Sequence, residues 1–255
     1  MTKRETYPCA SLEDVLTVTS LVSRNEVLRR SDALEMGISS DALRLAEILG
    51  FIEAKESVEK NFQVTSFGKQ LITLPEDQQK IIIFRALLKE KNILPPYFKR
   101  LIETRDLHNK RLTSTEICDK LDMRDRWSAD ILNEWCRYLG LSDGATKSEV
   151  FLSSNKLTQM KKKAFVLTLL EEYKRLAGPS RLVPVAKLRR ELKNSGILGK
   201  DDDFDKLLEM LLNNEANKGK IKFYPAPAKF VGLGLCGRTG YELLSLNGII
   251  SFKDT

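Results

Sequence analysis

Apolar residues recur at helical spacing over residues 12–23, where Leu12, Val15, Leu16, Thr19 and Val22 share one face. A short helical pattern over 31–36 stops at Gly37. Ser39 or Ser40 then caps a helix over 40–49 that turns Leu43, Ala46 and Leu49 toward a core, and Gly50 ends it. Two extended runs follow, 51–54 and 62–66, joined by the charged tip from Lys55 to Asn61. Leu74-Pro75 breaks the chain. Beyond it the pattern predicts helices over 76–89 and 97–104. Thr113, with Glu116 three residues on, is a capping box ahead of Ile117, Cys118 and Leu121. The next helix, 126–139, places Trp127, Ile131, Leu132, Trp135 and Leu139 inward and stops at Gly140. Short strands are expected at 141–143 and 150–152, with a turn at Gly144-Ala145-Thr146. A long helix over 157–176 is broken by Gly178-Pro179-Ser180. A helix over 183–194 carries Pro184 near its first turn, and Asp201 to Asp203 cap another containing Phe204, Leu207, Leu208, Met210 and Leu211. The end of the chain reads as a strand over 221–224, a loop over 225–240, and one or two strands within 241–252.

The order helix, helix, helix, strand, strand therefore occurs three times. Ile48-Leu49-Gly50-Phe51-Ile52-Glu53 aligns with Tyr138-Leu139-Gly140-Leu141-Ser142-Asp143, ninety residues later. In both, a Leu–Gly helix stop leads into a short strand with an acidic residue. Thr65-Ser66-Phe67-Gly68-Lys69-Gln70-Leu71 is similar to the T-x-x-G-x-x-L that leaves the wing and starts the next helix in winged helix-turn-helix proteins. On these residues the chain resembles that family. The expected fold is mainly α with short β-hairpin wings, as three consecutive winged-helix domains over 1–75, 76–155 and 156–255. The resemblance implies duplex DNA binding, with the third helix of a domain in the major groove and the wing along the backbone. Winged helices also serve as protein-docking modules.

Composition narrows the chemistry. With 42% hydrophobic and 30% charged residues in 255, the chain is an ordinary globular one. No apolar run approaches the roughly 18 residues of a membrane span, and the N-terminus lacks the apolar stretch of a signal peptide. The expected location is the cytoplasm. Cys9, Cys118, Cys136 and Cys236 form no C-x-x-C pair, and Cys118 and Cys136, set among apolar helix positions, read as buried free thiols. His108 is the sole histidine and lies in a polar connector without a nucleophile nearby in sequence. The run from Gly232 to Gly240 lacks the Gly-Lys-Ser/Thr ending of a phosphate loop and leads into no helix, so it reads as a wing loop. Asp201 to Asp205 lacks the Gly and distant Glu of a calcium loop and reads as a helix cap. The expectation is a protein that is not an enzyme and uses no cofactor or metal.

The net charge of +7 is unevenly spread. Residues 1–75 hold 9 basic and 11 acidic side chains, residues 76–155 hold 14 and 13, and residues 156–255 hold 19 and 11. A polyanion therefore finds its counter-charge in the last hundred residues. In the first domain the reading-helix surface, with Asp41, Arg44 and Glu47, is mixed. In the second, Arg124, Arg126, Asp130, Asn133 and Arg137 are expected on the exposed face, and Arg and Asn suit guanine and adenine edges. In the third, Lys187, Arg189, Arg190 and Lys193 lie on one helix, and Lys218, Lys220 and Lys222 lead into the wing. Two roles follow. The first is a non-enzymatic duplex-DNA-binding protein contacting DNA through Arg44, Arg124, Arg126, Asn133, Arg137, Lys187, Arg190, Lys193, Lys218, Lys220 and Lys222. The alternative is an adaptor that docks an ATPase or nuclease subunit of a DNA-processing or defence complex, motivated by the near-neutral charge of residues 1–155.

Overall fold

Helix α1 (Leu12–Arg24) begins where Ser11 and Asp14 cap each other. The Ser11 hydroxyl accepts from the Asp14 amide (3.0 Å), and the Asp14 carboxylate accepts from the Ser11 amide (3.2 Å). The computed structural model describes residues 7–25, 27–55, 60–89, 96–104, 110–142, 149–179, 181–198, 203–225 and 242–247. The elements after α1 are β1 (Leu28–Arg29), α2 (Arg30–Glu35), α3 (Ser40–Ile48), β2 (Ile52–Lys55), β3 (Asn61–Val64), α4 (Ser66–Thr73), α5 (Glu76–Leu88) and α6 (Tyr97–Glu103). Then come β4 (Arg111–Thr113), α7 (Ser114–Leu121), α8 (Arg126–Tyr138), β5 (Glu149–Phe151) and α9 (Ser154–Leu176). The chain continues through β6 (Val183–Pro184), α10 (Val185–Asn194), α11 (Asp203–Leu212), β7 (Ile221–Pro225) and β8 (Glu242–Leu246). The fold is mainly α-helical with small antiparallel sheets. The chain divides into two compact units, Met1–Leu157 and Thr158–Thr255, and the division falls within α9.

The first and third segments share one order of elements, and the second shows part of it among the described residues. In α1–β1–α2–α3–β2–β3 the sheet runs β1-β3-β2, and in α9–β6–α10–α11–β7–β8 it runs β6-β8-β7. The first strand thus pairs with the last in both. Between them, β4 precedes α7 and α8 and pairs with β5 in the same sense. Strands β1, β4 and β6 are two or three residues long. They are missing from the sequence expectation because so short a run shows no alternation of period two. Val183-Pro184, expected as the first turn of a helix, is β6, and Pro184 is the N-cap of α10.

The two Leu–Gly stops share one hydrogen-bond pattern. The Phe51 amide donates to the Ala46 carbonyl (3.0 Å) and the Gly50 amide to Glu47 (3.0 Å); the Leu141 amide donates to Cys136 (2.8 Å) and the Gly140 amide to Arg137 (2.9 Å). Gly50 (φ 77°) and Gly140 (φ 70°) take the left-handed conformation this closure requires, which glycine adopts without steric cost. Further along the chain a hydroxyl residue returns to each stop. The Thr65 amide donates to the Phe51 carbonyl (3.0 Å), and the Ser153 amide to the Leu141 carbonyl (2.9 Å).

Within residues 1–157 the predicted three-helix groups share a core. Trp135 of α8 is buried, and its indole N–H donates to the Ala10 carbonyl (2.8 Å). Tyr7 lies against Trp135 and Tyr97, with ring centroids 5.3 and 5.7 Å away, and Phe98 lies between Trp135 and Phe84. Burying the hydroxyl of Tyr7 among these rings pushes its pKa well up.

Gly68 shows why the T-x-x-G-x-x-L motif needs its glycine. The Thr65 hydroxyl donates to the Gly50 carbonyl (2.8 Å) and accepts from the Gly68 amide (2.9 Å), drawing α4 against the end of α3. A Cβ on Gly68 would sit 2.1 Å from the Phe51 carbonyl oxygen. Gly68→Ala is therefore expected to destabilise residues 1–157 by about 1–3 kcal/mol. A fall in the urea midpoint with an unchanged slope would report it, and an unchanged midpoint would refute the close-approach argument.

Candidate nucleic-acid interface

In the first segment α3 is the candidate reading helix. Arg44 is half-buried and lines a cleft of about 440 Å³ together with Arg30, Ser40, Asp41, Glu47 and Lys60, over a floor of Leu43, Ile48 and Phe62. Glu47 pairs with Lys60 at 2.8 Å, and the Asp41 carboxylate accepts from the Cys9 amide at 3.0 Å. Leu34 of α2 and Met36 after it are 46% and 58% exposed.

In the second segment the structure corrects two expectations. Asn133 is fully buried (0% exposed), not on the solvent face, so it reaches no base edge. The ninety-residue offset between Gly50 and Gly140 places Asn133 where Leu43 stands, and Leu43 is likewise a buried residue of α3. That offset was the signal available in the sequence. Trp127, expected inward, is 44% exposed, because it belongs to the first turn of α8, beyond the length shared with α3. Arg137 is half-buried, and its Nε is enclosed without a hydrogen-bond partner. Asp130 accepts a short hydrogen bond from the Ser114 hydroxyl. Asp125 caps α8 through the Ser128 amide (2.8 Å) and hydroxyl (3.0 Å). Arg124 and Arg126 are exposed. The turn before α8 is held by α7, whose Thr113–Glu116 capping box is present as expected; hydrogen bonds from the Thr113 backbone and hydroxyl hold the Glu116 carboxyl below its usual range.

In the third segment Lys187, Arg190 and Lys193 are exposed on α10. Arg190 has a long contact to Glu191, at 3.7 Å. Arg189 differs. It pairs with Asp205 across to α11 and lies 5.2 Å from the centre of the Phe204 ring, which makes it a packing residue. The turn after α11 is pinned from inside. Buried Asn217 donates to the Leu211 carbonyl (2.9 Å), and Asn214 accepts from the Ala216 amide (3.1 Å). From this turn emerge Lys218, Lys220 and Lys222. Lys218 and Lys222 are exposed and Lys220 is half-buried, and the pairing of Glu215 with Lys218 is 3.8 Å long between two highly exposed side chains. Tyr224, absent from the site that the sequence predicts, is 41% exposed two residues after Lys222. The alternation Lys220-Ile221-Lys222-Phe223-Tyr224 was its signal.

Elements of nucleophilic and metal chemistry stay apart. Burial pushes the Cys136 thiol up to about 12, and Cys118 is half-buried, where a fully buried thiol was expected. Among the described residues no cluster of His, Cys, Asp or Glu has the arrangement of a metal site, and no helix is long and apolar enough to cross a membrane. His108, Cys236, the turn at Gly144–Thr146, Asp201, Asp202 and the run from Gly232 to Gly240 lie outside the described residues.

Comparison of the chain with protein-family models, with curated proteins and with solved structures finds no match.

Asn133→Ala is expected to lower stability by about 0.5–3 kcal/mol, through the space left by a fully buried side chain, without changing the affinity for any DNA. Arg126→Ala is expected to leave stability within about 0.5 kcal/mol. Thermal unfolding and duplex binding of both variants check this; an Asn133→Ala variant that keeps its stability and loses affinity would put Asn133 back in the interface.

Proposed function

We propose that this chain is a non-enzymatic DNA-binding protein built from three winged-helix segments, and that residues 156–255 supply most of its contact with phosphate. The observation that carries the reading is the set of exposed cations Lys187, Arg190, Lys193, Lys218 and Lys222, in the stretch that holds 19 basic against 11 acidic side chains. The order shared by the first and third segments, with the first strand paired to the last, and the β4–β5 pairing around α7 and α8 in the second, support the winged-helix reading. Affinity then comes chiefly from counterion release and falls steeply with salt. Arg124 and Arg126, at the start of α8, stand where a reading helix of this kind meets a groove. Asn133 is not part of the interface.

A second reading concerns residues 1–157, where Leu34 and Met36 are exposed and Glu47 of α3 is paired with Lys60. Those features favour a protein-docking role there, as in an adaptor that holds an ATPase or nuclease subunit to DNA.

Duplex binding by the full chain, titrated with salt, tests the first reading. For every phosphate that a variant no longer neutralises, the magnitude of the log–log salt slope should fall by about 0.9. The changes Lys187→Ala, Arg190→Ala and Lys193→Ala together, or Lys218→Ala, Lys220→Ala and Lys222→Ala together, are expected to flatten the slope and weaken binding. Slopes identical to the wild type would move the interface elsewhere, and no binding at low salt would leave the docking reading.

A further inference from the structure

Strand β7 carries a basic and aromatic stripe that duplex binding does not explain. Successive strand residues point to opposite faces. Ile221 is buried and Phe223 half-buried on one face, while Lys222 and Tyr224 are exposed on the other. Lys218 and Lys220 precede them, and from Ala216 to Pro225 there is no carboxylate. The stripe is held rigidly. Its five residues pair in register with β8, from Ile221 opposite Leu246 to Pro225 opposite Glu242, and the turn before it is anchored by Asn217 and by the Asn247 amide, which donates to the Lys220 carbonyl (2.7 Å). In the sheet order β6-β8-β7, strand β7 is at the edge.

A duplex presents phosphates to such lysines but keeps the faces of its bases stacked on one another, so an exposed phenol ring gains little from it. A single strand offers both groups together. Its phosphates suit the lysines of the turn and strand, Lys218, Lys220 and Lys222, and its free base faces stack on an aromatic side chain whatever their sequence. Resting on the DNA-binding reading above, we infer that the face of β7 bearing Lys222 and Tyr224 binds single-stranded nucleic acid, with Tyr224 as the stacking platform for a base and Lys218, Lys220 and Lys222 on the backbone. The rigidity of the turn means that little ordering is needed at the moment of binding.

The full chain is titrated against a labelled oligothymidylate, an abasic deoxyribose-phosphate strand of the same length, and a duplex. Tyr224→Ala is expected to weaken oligothymidylate binding about 5- to 150-fold, the range of one base–aromatic stack, and to leave the abasic strand and the duplex unchanged. Tyr224→Phe, which keeps the ring, is expected to restore wild-type affinity. Circular dichroism of both variants confirms that each is folded. Equal weakening on the abasic strand, or none on the oligothymidylate, overturns the stacking role. Wild-type binding to the duplex alone overturns the single-strand site while the DNA-binding reading stands. Wild-type binding to none of the three probes overturns both.

Discussion

Where α3 and α8 end, a left-handed glycine turns the chain back so that the next residue's amide closes on a carbonyl of the last helical turn. At Gly50 and Gly140 this closure fixes the direction in which the chain leaves the helix. A residue further on, Thr65 or Ser153, then bonds to the residue just after the glycine, Phe51 or Leu141. At Gly50, helix, stop and the β2–β3 hairpin are thereby tied together as one piece. The approach of Gly68 to the Phe51 carbonyl adds the next helix to the same piece. A side chain at Gly68 has no room, and one at Gly50 or Gly140 would adopt a backbone that L residues rarely take, which is why the motif is legible in so short a run of residues.

The two segments within residues 1–157 are joined by the N-terminal stretch. Ala10 accepts from the Trp135 indole, Tyr7 fills the space beside it, and the Cys9 amide reaches Asp41 of α3. These interactions commit polar groups of both candidate reading helices to the scaffold. Asp41, Asp130 and Glu47 each have a partner, and Asn133 is part of the core. Removing the buried Asn133 side chain disturbs the fold first, whereas the exposed pairing of Glu47 with Lys60 contributes only about 0–1 kcal/mol.

Residues 158–255 use their charges differently. Arg189 is held between Asp205 and Phe204, and Arg175 pairs with Glu172 at 2.6 Å and Glu191 at 3.0 Å. Lys187 and Arg190 stay at the surface on α10, and Lys222 follows a turn that is fixed by buried asparagines. Such exposed cations meet phosphate at less cost than Arg189 or Arg175, which must first give up a close carboxylate.

Local patterning was enough to specify the long helices, the Leu–Gly stops, the capping box at Thr113 and the skewed charge, because each depends on composition or on neighbours within one or two turns. Partners distant in the chain made the remaining choices. Strands β1, β4 and β6 exist only because a last strand comes to pair with them. Asn133 and Trp127 exchanged their expected surroundings, since helical periodicity gives the spacing of a face but not which face the other helices cover. Among the arginines of α8 and α10, position in sequence did not distinguish Arg189 from Arg190. The first meets α11 and the second meets water, and that difference is made by residues more than a dozen positions away.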